Sequence, residues 1–190
     1  MKKFWFILSL GLSLALISLN AKAENPRVLM ETSHGNLIIE LYPNDAPQTV
    51  ENFLEYVNSG FYNGTIFHRV ISNFMIQGGG FDADFKRKPV RPAIQNEADN
   101  GLRNRIGTIA MARTNDPHSA TSQFFINVAN NDSLDFREKT PRAWGYTVFG
   151  RVVDGMRVVN QIRNVPTTSQ QGHQDVPLRP VVIERVRQIK

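Results

Sequence analysis

The chain has 190 residues, 41% hydrophobic and 21% charged, which suits one soluble domain with a sizeable core. It contains no cysteine, so a disulfide framework and a thiolate zinc site are both excluded. Its 22 basic and 17 acidic side chains leave a net charge of +5, but Lys2, Lys3 and Lys22 fall in one atypical N-terminal segment.

That segment joins a basic start, Lys2-Lys3, to an apolar run from Phe4 to Leu19 and a small-x-small exit, Ala21-Lys22-Ala23. These are the three parts of a cleavable secretory signal peptide, and the run is short for a membrane span. Residues 1–23 are therefore expected to be removed. Residues 24–190 are expected as one exported domain, periplasmic and free of the membrane. Cleavage takes three lysines and no acid, so the net charge falls from +5 to +2. Nucleic-acid binding is not expected: the short cluster Lys86-Arg87-Lys88 runs into Pro89 and reads as a solvated loop.

Beyond the leader, Val28–Thr32 and Leu37–Tyr42 flank Ser33-His34-Gly35-Asn36, a hairpin signal. Val50, Phe53, Leu54 and Val57 follow helical spacing, with Pro47 in the first turn and Gly60 as the stop. Thr65–Val70 and Phe74–Gln77 read as strands, and Gly78-Gly79-Gly80 is expected to break the pattern. Residues 81–105 are polar and rich in Pro, Asn and Asp, and read mostly as loop. Ile106–Ala112, Phe124–Val128 and Thr147–Val153 read as further strands. Asp154 is placed to cap a short helix carrying Met156, Val159 and Ile162. Pro166–Arg179 reads as a second loop and Val181–Ile189 as a closing strand. Many strands with two short helices predict a β-barrel with helical caps.

Two segments set isolated hydrogen-bonding side chains among large apolar ones. The first is Phe67-His68-Arg69-Val70 with Phe74-Met75-Ile76-Gln77-Gly78-Gly79; the second is Ser122-Gln123-Phe124-Phe125-Ile126-Asn127. An apolar surface with a few placed polar groups is the composition of a binding site. Together with Ala46-Pro47-x-Thr49-Val50-x-Asn52-Phe53 and Val148-Phe149-Gly150-x-Val152, these blocks resemble the signature of the cyclophilins, in family order across about Arg27 to Lys190. With the leader, the chain is similar to the periplasmic cyclophilins of Gram-negative bacteria. The resemblance implies a mainly β fold: a closed eight-stranded antiparallel barrel capped by two helices. It also implies peptidyl-prolyl cis-trans isomerase activity on X-Pro bonds, with proline-containing peptides and unfolded exported proteins as partners and a monomeric state.

That reaction turns an amide with a barrier of about 18–20 kcal/mol and makes or breaks no covalent bond. No nucleophile, metal or cofactor is needed. A fixed cation that donates to the prolyl nitrogen, which regains its lone pair in the twisted state, favours that state over either planar one. Arg69 matches this catalytic position, and its rigid, permanently charged fork suits the task. By the resemblance, Phe74, Met75, Phe125 and Leu134 form the pocket for the proline ring. Gln77 and Gln123 hold substrate carbonyls or orient the arginine. Ala112, Arg113 and Thr114 line the groove, where Arg113 replaces the family's usual asparagine at a contact made largely by backbone.

Two departures concern the rim. Ser133 stands where the cyclosporin-sensitive members carry tryptophan, and Tyr146 where they carry histidine. Residues 136–145, including Trp144, are extra. Weak cyclosporin binding at most is therefore expected. Phe124 faces the core, because neighbours on a strand face opposite sides. His68 reads as a structural or satisfied histidine rather than a general base. His34, His118 and His173 lack ligand spacing, and the glycine run lacks the Gly-Lys-Ser/Thr ending of a phosphate loop. A second function class, a peptide-binding chaperone module without significant turnover, uses the same groove; the arginine at position 69 favours the enzyme.

Overall fold

The computed structural model describes residues 24–190. The expected signal peptide, residues 1–23, lies outside the described residues. The chain forms β1 (Arg27–Thr32), β2 (Gly35–Leu41), α1 (Pro47–Asn58), β3 (Thr65–Ile71), β4 (Met75–Asp82), β5 (Thr108–Met111), β6 (Phe124–Asn127), β7 (Val148–Asp154), α2 (Met156–Ile162), β8 (Thr167–Gln170), β9 (His173–Pro177) and β10 (Val182–Ile189). Eight strands close into an antiparallel barrel in the order β1-β10-β3-β4-β6-β5-β7-β2, with β8 and β9 as a separate hairpin. Closure leaves none of the eight with an unpaired edge.

Alternation builds the wall. In β1 the buried positions are Val28, Met30 and Thr32, and in β2 Leu37, Ile39 and Leu41. These point inward and meet Phe67, Phe124, Ile126 and Phe149 in one interior cluster. Phe53 of α1 lies against Tyr62, Phe124 and Phe149, with ring centroids 5.2, 5.8 and 5.2 Å away. Each such buried ring contributes roughly 1.5–3 kcal/mol by leaving water. Phe124 is fully buried here, as its strand position predicts.

Helix α1 ends as its sequence indicates. Gly60 takes φ +69°, its N–H donates to Val57 O, and Phe61 N–H donates to Tyr56 O, both at 3.0 Å. This is the paired-bond stop that glycine favours, sealed by the Tyr56 and Phe61 rings at 4.6 Å. Its start is capped from far along the chain. The Glu97 carboxylate accepts from Gln48 N–H at 3.1 Å and from Thr49 N–H at 2.9 Å. An acid there also suits the positive end of the helix.

Four expectations are corrected. Gly78-Gly79-Gly80 does not end the strand: β4 runs through it to Asp82. Lacking side chains, these residues let β4 pass close to its neighbours; a Cβ on Gly79 would lie 2.9–3.0 Å from the Tyr62 and Phe124 rings. Residues 167–177 contain a hairpin, whose polar Thr, Ser and Gln give no apolar alternation. Asp154 ends β7 rather than capping α2, where Gly155 at φ +92° is the flanking residue. Ile106 is exposed and precedes β5, which starts at Thr108.

Candidate active site

Strand register sets the site. Arg69 of β3 pairs with Gln77 of β4, Gln77 with Phe125 of β6, and Phe125 with Ala110 of β5. Cross-strand partners share a face. Their neighbours Val70, Ile76 and Phe124 belong to the interior cluster, so this row faces outward from the barrel.

One end of the row is apolar. Met75, Ala110, Phe125 and Val148 form a second buried cluster separate from the interior one. Of the expected pocket residues, Phe74, Leu134, Ala112 and Tyr146 pack on it, partly exposed. The Phe125 and Tyr146 rings meet edge to face at 5.7 Å. A buried asparagine network supports the rim. Asn131 Nδ2 donates to Phe74 O at 2.8 Å and to Asn127 Oδ1 at 2.6 Å. Asn127 Nδ2 donates to Asn104 Oδ1 at 3.1 Å, and Asn104 Nδ2 to Leu134 O at 3.1 Å. Phe74 and Leu134 are thus both held through their backbone carbonyls.

The other end is polar. Gln77 Nε2 donates to Gln123 Oε1 at 3.0 Å. Gln123 reaches that position across Gly80, where a Cβ would lie 2.6 Å from its amide carbon. The Arg69 side chain is 44% exposed, and Asp175 Oδ2 of β9 lies 3.8 Å from its Nε. His68 is buried, as a structural histidine is, although its Nδ1 has no hydrogen-bond partner. Burial, and then the charges of His173 and Arg69, push its pKa from 6.5 down to about 4, despite a bond to the Ile66 backbone. The imidazole is neutral at neutral pH.

Arg113 serves the extra segment. Its Nε donates to Gly145 O at 2.8 Å, its Nη1 to Thr114 O at 2.9 Å, and its guanidinium lies 4.7 Å from the Tyr146 ring centroid. Its backbone N–H and C=O have no partner among the described residues, so the groove beside β5 keeps an open main-chain donor and acceptor. Thr114 closes a surface turn through Ser119 Oγ at 2.8 Å. Ser133 is exposed on the short turn Asp132–Leu134. Trp144 does not join the apolar cluster: its ring packs on His118 at 4.6 Å and its N–H donates to Asn96 O at 3.4 Å.

Sequence reading missed Leu102, Ile71, Ala110 and Val148 in the apolar cluster, and Asp175 beside Arg69. Outward positions of strands could have pointed to Ile71, Ala110 and Val148. Leu102 and Asp175 lie in segments read as loop and gave no signal. Nor is the basic cluster simply solvated: Arg87 stacks 5.2 Å from the Phe81 ring centroid, and Lys88 Nζ donates to Phe61 O. Among the described residues, no three His, Asp or Glu side chains gather in a way that could hold a metal ion.

Comparisons with known proteins agree with this geometry. Residues 27–188 match the family model for cyclophilin type peptidyl-prolyl cis-trans isomerase/CLD. The chain is 62% identical over 160 residues to peptidyl-prolyl cis-trans isomerase cyp18 of Streptomyces antibioticus, covering 84% of this chain and 96% of that protein. It is 55% identical over 159 residues to peptidyl-prolyl cis-trans isomerase B of Escherichia coli, covering 84% and 97%. The fold matches a crystal structure of a Cryptosporidium parvum cyclophilin type isomerase in the presence of the dipeptide Ala-Pro. There the TM-score is 0.71 at 27% identity, over 86% of this chain and 99% of that one.

Proposed function

The chain belongs to the cyclophilin-type peptidyl-prolyl cis-trans isomerases, and we propose that it turns X-Pro bonds of exported proteins in the outer groove between Arg69 and Phe125. The observation that carries the placement is the register row Arg69–Gln77–Phe125, which sets a cation and an apolar pocket side by side on one face. In this reading the prolyl ring sits against Phe125, Met75, Phe74 and Leu134. The ring contacts carbon in both isomers, so this part holds substrate without choosing a state.

The choice is made at nitrogen. Twisting breaks amide resonance and returns a lone pair to the prolyl nitrogen. A guanidinium N–H of Arg69 donates to that lone pair, which only the twisted state presents, and the barrier falls by differential binding. Gln77 and Gln123, locked to each other, bound the groove beside the arginine. The open N–H and C=O of Arg113 hold the substrate backbone, as an added strand would be held. The side chain at position 113 is occupied elsewhere, which leaves the substrate contact there to the backbone.

The assignment to exported clients rests on residues 1–23 and their Ala21-Lys22-Ala23 exit. We propose a periplasmic protein of residues 24–190, monomeric and off the membrane. A protease-coupled proline isomerisation assay on residues 24–190 tests the site, with turnover expected and lost on Arg69→Ala. N-terminal sequencing of the exported protein is expected to begin at Glu24; an intact Met1 on a membrane fraction would overturn the location.

A further inference from the structure

A second cleft opens at the polar end of the register row, bordered by Arg69, Gln77 and Gln123, with a volume of about 290 Å³. Its lining is rich in donors: Arg69 and Arg87, His68 and His173, with Gln77 and Gln123 on the shared border. The carbon wall is aromatic. Phe81 meets His68 at 4.8 Å, His173 at 5.2 Å and Phe85 at 5.5 Å. Arg87 lies over Phe81, its guanidinium carbon 5.2 Å from the ring centroid, which holds the charge beside the cleft.

Three features suit a ligand better than a resting surface. Arg87 is exposed and forms no ion pair among the described residues. His68 borders the cleft with a buried Nδ1 that has no partner. Phe85, a bulky residue, holds φ +63°, a left-handed backbone that costs energy and is most often retained where a site is being shaped. The nearby acids are otherwise engaged. Asp82 accepts from Asp84 N–H and Lys86 N–H, Asp84 pairs with Lys86, and Asp175 lies 3.8 Å from Arg69 Nε and borders a different cleft.

We propose that this cleft is a specificity subsite for an aspartate or glutamate side chain on the peptide segment flanking the X-Pro bond, with Arg87 as the residue that selects it. The cleft shares Arg69, Gln77 and Gln123 with the isomerase groove, so an extended peptide whose proline occupies the apolar pocket carries a flanking side chain into it. The carboxylate meets Arg87 and the His173 ring over an aromatic floor, and a lysine there meets the like charge of Arg87. The proposal rests on the placement of X-Pro at Arg69.

The test is a panel of Ala-Pro peptides with Glu, Gln or Lys at each of the three positions on either side, read as kcat/KM at low salt. At one position Glu is expected to exceed Lys by about five- to tenfold, the scale of one exposed ion pair gained and one repulsion avoided, with Gln between. In Arg87→Glu that Glu-to-Lys ratio is expected to invert, and in Arg87→Gln to approach one. Arg87 is exposed, so both variants are expected to fold. A panel with no charge preference, or a preference that survives Arg87→Glu, overturns the subsite. Turnover of the all-alanine reference peptide by the unmodified protein reports separately on the isomerase groove.

Discussion

His68 makes folding stability depend on acid in a way that can be worked out. Its pKa is pushed from 6.5 down to about 4 in the folded protein, chiefly by burial. Between those values the unfolded chain binds the proton and the folded one does not. The unfolded state therefore gains as pH falls, and the contribution is complete above pH 6.5 and lost progressively below it. With those two values the loss is about 2 kcal/mol at pH 5 and about 3 kcal/mol at pH 4. The perturbation is His68→Phe, which keeps a ring against Phe81 and removes the unpaired nitrogen. Removing the unpaired nitrogen costs little, while losing the bond to the Ile66 backbone costs about 1 kcal/mol at every pH. Urea unfolding from pH 4 to 8 is expected to give a variant about 1 kcal/mol less stable near pH 7.5 and about 1 kcal/mol more stable at pH 5. A pH profile that is unchanged by the substitution, or a His68 ring that titrates near 6.5 by NMR, would refute the reasoning.

Phe125→Ala is expected to raise KM about tenfold, because it removes ring contact worth roughly 1.5 kcal/mol in both planar states, and to change kcat less. The same variant is expected to lose about 3 kcal/mol of stability in a urea titration, the low end for a buried ring because the cluster borders solvent; an unchanged KM would remove Phe125 from the pocket. Gly80→Ala puts a methyl into the space Gln123 occupies and is expected to lower kcat/KM about fivefold, the scale of one hydrogen bond of about 1 kcal/mol. Full activity with the Gln77–Gln123 bond intact in a crystal structure would contradict it. Ser133→Trp is expected to tighten cyclosporin binding about ten- to a hundredfold by isothermal titration, since Trp144 is held on His118 and cannot fill that place. Tight binding by the unmodified protein would contradict this.

Much of the wall was legible because period-two burial is a local property: Val28, Met30, Leu37 and Ile39 announce their strands. So was the helix bearing Val50 and Phe53, whose ends carry Pro47 and Gly60. Long-range consequences were not. Nothing local says that β1 closes on β10, or that Glu97 caps α1. The glycine run misled because its residues were read for backbone freedom, while their use here is close approach: Gly80 is bare so that Gln123 can cross it. The hairpin at 167–177 escaped because it is mostly exposed and polar, with no core side to alternate against. Within the site, the motif positions pointed to Arg69, Gln77, Gln123 and Phe125, whose spacing is set by three neighbouring strands, β3, β4 and β6. The cationic flank was invisible, since Arg87 and His173 come from polar segments far apart in the chain and meet only through the fold.

The central claim is that Arg69 acts on the twisted state and little on the planar ones. Exchange NMR on a labelled Ala-Pro peptide measures both quantities in one sample, the catalysed interconversion rate and the affinity of each isomer. For Arg69→Ala, the account predicts an interconversion rate lower by about 100-fold, the scale of one preorganised donor removed, with isomer affinities within about threefold of the unmodified protein. Interconversion that stays near normal, or that falls only in proportion to lost binding, would contradict it.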